Sequence, residues 1–284
     1  MNGDGDLEPS LFARRNWPDL GPRIISGVVL VVVTVLSLVI GSYFFAAVVG
    51  VVFAGVYREW ETMVTRAPLG PVSWAMIVLV ALSALLYPAL GPLGTAGIIA
   101  IACLIAAFSG REEMAWRIGG LAFNALVIIS ILAMRGEGTA GIWAGVYLGT
   151  VVWMTDSAAF FTGRQIGGEK LAPEISPSKT WSGALGGLLL GTVAGTIVWT
   201  LVSASPLWLG LVFSFVISIF GQLGDLTESA IKRRFRIKDS GDIIPGHGGL
   251  MDRLDSLTLG VIFLAVVGAL HAGFGAIAEG FLYW

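Results

Sequence analysis

Between Gln222 and Ser256 the chain sets acids and cations at helical spacing. Asp225 lies three residues before Glu228 and four before Ser229, with Lys232 a further turn along, so these groups share neighbouring helix faces. Asp252 and Asp255 repeat the three-residue interval, flanked by Arg253 and Ser256. Hard oxygen donors on two adjoining helices make a natural site for Mg²⁺, which keeps waters and shares phosphate oxygens with its substrate. A capped, salt-bridged helix end accounts for one such cluster. Two clusters joined by Ile244-Pro245-Gly246-His247-Gly248-Gly249 favour chemistry instead. Glycines in that loop let backbone N–H groups approach phosphate oxygens. His247 either contacts a phosphorylated ligand or braces the turn.

A second segment, Ser176-Pro177-Ser178-Lys179-Thr180-Trp181-Ser182-Gly183, offers a compact cation in Lys179 and hydroxyls in Ser178 and Thr180. Thr180 or Ser182 also suits the N-cap of a following helix. Asp156, in Trp153-Met154-Thr155-Asp156-Ser157, falls inside or near the end of an apolar run. An acid there needs a partner or a hydrated cavity, and a site role is the better reading. His271 reads as interfacial. Arg58, Glu59 and Glu61, like Arg111, Glu112 and Glu113, read as solvated loops.

These groups must be positioned by membrane helices. The 284 residues are 56% hydrophobic and 13% charged, with a mean hydropathy of +0.84. Water cannot solvate so much apolar surface, so the bilayer is the solvent. A net charge of −2 without a basic stripe gives no nucleic-acid footprint. The single cysteine, Cys103, excludes disulfides and Cys-rich metal sites and reads as a packing residue. Acids at Asp4, Asp6, Glu8 and Asp19 precede the first apolar run, which argues for a retained span rather than a secretory signal.

Apolar runs broken by charge, Gly or Pro predict an all-α, polytopic integral membrane protein with about nine transmembrane helices. They lie near 24–41, 43–57, 72–90, 94–108, 118–134, 139–162, 183–202, 207–228 and 256–275. Pro88 to Gly94 reads as a tight turn. With the N-terminus cytoplasmic, nearly every Lys and Arg falls on cytoplasmic segments and Arg135 alone falls outside. Residues 1–135 are expected to form a scaffold, with contacts for a homodimer, and to carry charge only in short loops. Residues 136–284 are expected to form the catalytic half, with cytoplasmic loops at about 164–182 and 232–255. No internal repeat suggests a transporter.

The spacing Ser229, Lys232-Arg233, Lys238-Asp239, His247-Gly248-Gly249, Asp252-Arg253 and Asp255 resembles the signature of the phosphatidate cytidylyltransferases. The resemblance extends through Gly221–Ser229, Ser176–Gly183 and Asp156–Arg164. Ser182 departs from it, since relatives often carry Glu or Gln there. The resemblance implies transfer of CMP from CTP to phosphatidate, giving CDP-diacylglycerol and pyrophosphate for phospholipid synthesis. It implies an active site facing the cytoplasm of a bacterial inner membrane. It further implies Mg²⁺ held by Asp225 and Asp252, with Asp156 and Glu228 as additional candidates and K⁺ as a neighbour. Lys179, Lys232, Arg233 and Arg253 are then expected to offset phosphate charge, with Lys232 and Arg253 at the reacting groups. Ser176, Ser178, Thr180, Ser229, His247, Gly248, Gly249 and Asp255 are expected to contact substrate.

Two other classes compete. A lipid kinase would prefer ATP, and a CDP-alcohol phosphatidyltransferase would carry an Asp-Gly…Ala-Arg…Gly…Asp…Asp run, which is missing. A transporter would use Asp156, Asp225 and Asp252 as a relay. Their placement near one face, without a symmetric partner half, disfavours it.

Overall fold

A computed structural model describes residues 20–109, 113–241, 243 and 248–284, with side chains from residue 25 onward. His247, Arg111, Glu112 and residues 1–19 lie outside the described residues. Among those described, the order is α1 (Leu20–Ile40), α2 (Ser42–Thr65), α3 (Pro71–Leu85), α4 (Tyr87–Phe108), α5 (Met114–Arg135), α6 (Thr139–Ile166), β1 (Lys170–Ala172), β2 (Ser176–Thr180), α7 (Trp181–Val202), α8 (Leu207–Arg234), α9 (Met251–Ala272) and α10 (Ile277–Leu282). The protein is an all-α polytopic membrane protein. Helices α1 to α9 follow the nine expected spans in order. Six of them (α2, α4, α5, α7, α8 and α9) are long and apolar enough to cross a bilayer, while α1 and α3 contribute shorter apolar stretches.

The outer surface confirms the solvent. On α7, Leu185, Leu189, Val193, Ile197 and Leu201 form an exposed apolar stripe, and most of α1 is equally bare. Surfaces of this kind belong in lipid.

Several boundaries move. The short 43–57 span continues to Thr65 and takes Arg58, Glu59 and Glu61 with it. Only Arg58 is solvated there; Glu59 and Glu61 are buried, at 2% and 0% exposure. The expectation of a solvated loop fails because both carboxylates find enough donors inside the protein. Glu61 takes two bonds from Arg117, Nη2 at 2.6 Å and Nε at 3.1 Å, with Ser73 Oγ at 2.7 Å and Tyr57 Oη at 3.3 Å. Charge in the N-terminal half is therefore not confined to loops. Between Pro88 and Gly94 the chain bends at Gly91, whose φ of 64° is open to glycine, and helical turns flank it on both sides. Arg135 is buried as well. Its guanidinium donates to Leu38 O and Val39 O at the end of α1, and to Gly136 O and Gly138 O.

The tightest junction is α6 against α7. Buried Gly183, Gly187, Gly191 and Gly195 recur every fourth residue along one face of α7. A Cβ on Gly183 would stand 2.8 Å from Ala159 O, and one on Gly187 would stand 2.7 Å from Thr155 O. Small side chains let the two backbones touch, which is the packing term that lipid leaves available. Near the start of α6, away from the hairpin, Tyr147, Trp199, Phe213 and Phe281 pack edge-on and stacked, and Tyr147 Oη bonds Ser214 Oγ at 2.7 Å. The other half of α6 is left to frame a cavity.

Gly187→Ala is expected to destabilise the protein by about 1–3 kcal/mol, as overpacking does. A lowered thermal midpoint in detergent would show it; an unchanged midpoint would mean that the junction has slack.

Candidate active site

The 164–182 segment, expected as a loop, folds as a small antiparallel hairpin with Lys170 opposite Thr180 and Ala172 opposite Ser176. Gly167 and Gly168, at φ 67° and 100°, turn the chain out of α6 into it. Thr180 ends the hairpin and caps α7, its Oγ1 accepting from Gly183 N at 3.1 Å. Ser182 donates to Gly167 O, tying the α7 start to the α6 end. Arg233 lies along the outside, Nε donating to Ile175 O and Nη1 to Ile237 O. It braces the hairpin tip against α8.

Helix α6, the hairpin, α7 and α8 enclose a cavity of about 650 Å³, a volume suited to a small-molecule ligand. Asp156, Ser178, Lys179, Thr180 and Asp225 line it, as do Arg164, Lys170, Gln222 and Phe160. Asp156 is thus open to a cavity although it sits ten residues inside α6. Lys179 Nζ meets Asp225 Oδ2 at 2.6 Å across the floor. The cationic wall of Arg164 and Lys170 escaped the sequence reading, because a basic residue after a span reads equally well as an anchor. The Gly-Gly turn between them was the available signal.

A second knot adjoins this cavity on α8 and α9. Lys232 Nζ sits 2.5 Å from Asp252 Oδ1 and 3.2 Å from Glu228 Oε1. Asp252 Oδ2 accepts from Ser240 N, Ser240 Oγ and Gly249 N at 3.0–3.2 Å. Helix α9 starts at Met251, several residues earlier than expected, so Asp252, Arg253 and Asp255 occupy its first turns. Gly224 makes the approach of α8 and α9 possible: a Cβ there would lie 2.3 Å from Asp255 O. Ser256 Oγ links the helices to α6, reaching Asp156 Oδ1 at 3.3 Å and Asp255 Oδ1 at 3.4 Å. Ser229 Oγ is 3.4 Å from Asp225 Oδ1.

The expected residues therefore gather in two groups. Asp156, Ser178, Lys179, Thr180 and Asp225 share the cavity. Glu228, Lys232, Asp252 and Gly249 share the knot beside it, with Asp255 between. Asp225 and Asp252 each hold a lysine of their own, Lys179 and Lys232 respectively. Ser176 sits at the start of β2, Arg253 is exposed on α9 and Gly248 lies in the loop before it with φ 78°.

Residues 21–271 match the cytidylyltransferase family. The chain belongs to that family. It is similar to the phosphatidate cytidylyltransferase of Brucella suis biovar 1 (strain 1330), 37% identical over 258 residues that cover 89% of this chain and 95% of that protein. The Bacillus subtilis (strain 168) phosphatidate cytidylyltransferase is 42% identical over 127 residues, 44% of this chain and 47% of its own. That of Staphylococcus saprophyticus is 41% identical over 145 residues, 51% and 55% respectively.

His271, by contrast, stacks on Trp284 at 3.9 Å and bonds Gly280 O at 2.7 Å, as suits a packing residue.

Proposed function

We propose that this enzyme transfers CMP from CTP to phosphatidate, releasing pyrophosphate, on the cytoplasmic side of the membrane. The observation that carries this reading is the cavity itself, with cations Arg164, Lys170 and Lys179 and exposed apolar Phe160 in one wall system. Such a site suits a polyphosphate meeting a lipid whose chains stay in the bilayer. That the similar proteins are phosphatidate cytidylyltransferases supports the pairing of a cytidine nucleotide with phosphatidate.

In the reaction, a phosphate oxygen of phosphatidate bonds to the α-phosphorus of CTP. The bond from that phosphorus to the bridging oxygen of the β-phosphate breaks, and the electron pair leaves with pyrophosphate. A phosphate monoester has a second pKa near 6, so the nucleophile is already mostly dianionic at neutral pH and needs no strong base. Repulsion between two anions is the barrier, and Lys179, Arg164 and Lys170 lie where they offset it.

The donor set fits Mg²⁺. Five carboxylates (Asp156, Asp225, Glu228, Asp252 and Asp255) surround two lysines, and Glu228 Oε2 is buried with no hydrogen-bond partner. Among the described residues no three His, Cys, Asp or Glu side chains are grouped so as to hold a metal ion by themselves, so Mg²⁺ would have to take most of its shell from water and phosphate. Asp225 and Asp156 have acceptor capacity to spare. Asp252 already receives four donors and would hold the ion only by giving up Lys232. Mg²⁺, when bound there, withdraws charge from phosphate oxygens. K⁺ is the proposed neighbour at the remaining carboxylates.

The test is pyrophosphate release by purified protein with phosphatidate, Mg²⁺ and each of the four NTPs. CTP alone should support turnover. Release of a nucleoside diphosphate from ATP would make the enzyme a kinase and sink the proposal.

A further inference from the structure

We infer that Glu59, on α2 in the half expected to be scaffold, is a positioning residue for Asp252. It rests on the reading above that Asp252 serves the transfer reaction. Glu59 is 2% exposed, and its two oxygens take three donors from across the molecule. Oε1 accepts from Leu250 N at 2.9 Å; Oε2 accepts from Met251 N and from Ser240 Oγ, both at 2.9 Å. Leu250 and Met251 open α9, so a full negative charge sits on the N–H groups and the positive dipole end of the helix that carries Asp252.

Ser240 carries the second link. Its hydroxyl lies 2.9 Å from Glu59 Oε2 and 3.0 Å from Asp252 Oδ2. A hydroxyl has one proton to donate, so the two carboxylates share it. When Asp252 turns toward another partner, Glu59 keeps Ser240 hydrogen-bonded and the loop in place. The packing is built to this carboxylate. A Cβ on Gly241 would stand 2.8 Å from Glu59 Oε1, and one on Gly249 would stand 2.7 Å from Glu59 Oε2. Two glycines flank the acid where any larger residue would push it aside.

Glu59→Gln puts an amide N–H against backbone N–H or hydroxyl donors. The expected result is a fall in kcat of roughly 10–100-fold, with KM for CTP and phosphatidate within about threefold, as loss of a transition-state interaction predicts. Ser240→Ala should lower kcat by a smaller factor, and the double variant should be no slower than Glu59→Gln alone, because both act through one bond network. Gly241→Ala, which displaces Glu59 from outside, should reproduce the kcat defect and serves if Glu59→Gln does not fold. Amide exchange over 248–254 should quicken in Glu59→Gln. Multiplying defects in the double variant, unchanged kcat, or unchanged exchange would overturn the assignment. Wild-type protein inactive on CTP and phosphatidate would instead defeat the proposed reaction, and the exchange measurement would still decide the role of Glu59.

Discussion

Asp225→Asn in purified protein is expected to lower CMP transfer at least about a thousandfold while the protein stays folded. Asp225 Oδ2 is the carboxylate oxygen that Lys179 grips at 2.6 Å, and Oδ1 accepts a long bond from the Ser229 hydroxyl at 3.4 Å. The side chain is thus the most available anionic donor in the cavity wall. On the proposed reading, removing its charge takes away a metal donor, and it also loosens Lys179 from its ion pair. Both losses are felt where negative charge is crowded, in the transition state rather than in the fold. Lys179 and Asp225 are partly solvated, so breaking their pair costs little stability. Asp252→Asn should also be nearly inactive, but for a mixed reason. The amide keeps one oxygen, so its N–H must oppose either Lys232, only 12% exposed, or the donors of Ser240 and Gly249, and Lys232 loses a counter-charge in both cases. Asp225 is therefore the cleaner substitution. Pyrophosphate release by Asp225→Asn within tenfold of wild type, at equal melting temperature, would remove Asp225 from the site.

The geometry explains why so many acids sit together. On the proposed reading, the cavity would attract polyphosphate through Arg164, Lys170 and Lys179 and also hold a cation between reactants that repel each other. Lysines paired with carboxylates satisfy both needs, because each pair can open toward an anion or a cation as the reactants arrive. Glycines at 221 and 224 bring α9 against α8, and the α7 glycines bring α7 against α6, while Ser256 Oγ links Asp156 on α6 to Asp255 on α9.

Much of this was legible in the chain. Hydropathy placed nine apolar runs that the helices α1 to α9 follow in order, six of them long and apolar enough to cross a bilayer, because lipid imposes length. The spacing of Asp225, Lys232, Asp252 and Asp255 singled out side chains that the structure brings into two neighbouring groups, since helical intervals and a glycine loop are local signals. What failed was long-range. Glu59 and Glu61 look like a solvated turn beside Arg58, and only the arrival of Leu250, Met251, Ser240, Ser73 and Arg117 from elsewhere makes burial tolerable. Lys170–Thr180 looks like a loop because its strands are too short for a periodic pattern. Arg135 looks like an external anchor until α1 offers it carbonyls.

Glu61 yields the largest expected stability effect. Its carboxylate is wholly buried, and Arg117 is its counter-charge through two bonds. Arg117→Met would leave that charge with only Ser73 and Tyr57 as donors. Removing one partner of a buried pair costs about 3–5 kcal/mol, far more than the pair is worth against apolar replacements. The single variant should therefore melt well below wild type in detergent or fail to accumulate. Adding Glu61→Gln removes the stranded charge, keeps an acceptor for Ser73, and should recover most of the loss. The double variant melting no higher than Arg117→Met would mean that the guanidinium packs rather than neutralises. Wild-type melting of Arg117→Met itself would show that Glu61 carries no charge needing compensation. Activity sharpens the distinction, since Trp60 on α2 bonds Trp116 O next to Arg117 and Glu59 on the same helix reaches α9. Restoring the fold in the double variant should bring turnover back with it, because α2 then holds Glu59 at its place beside Ser240.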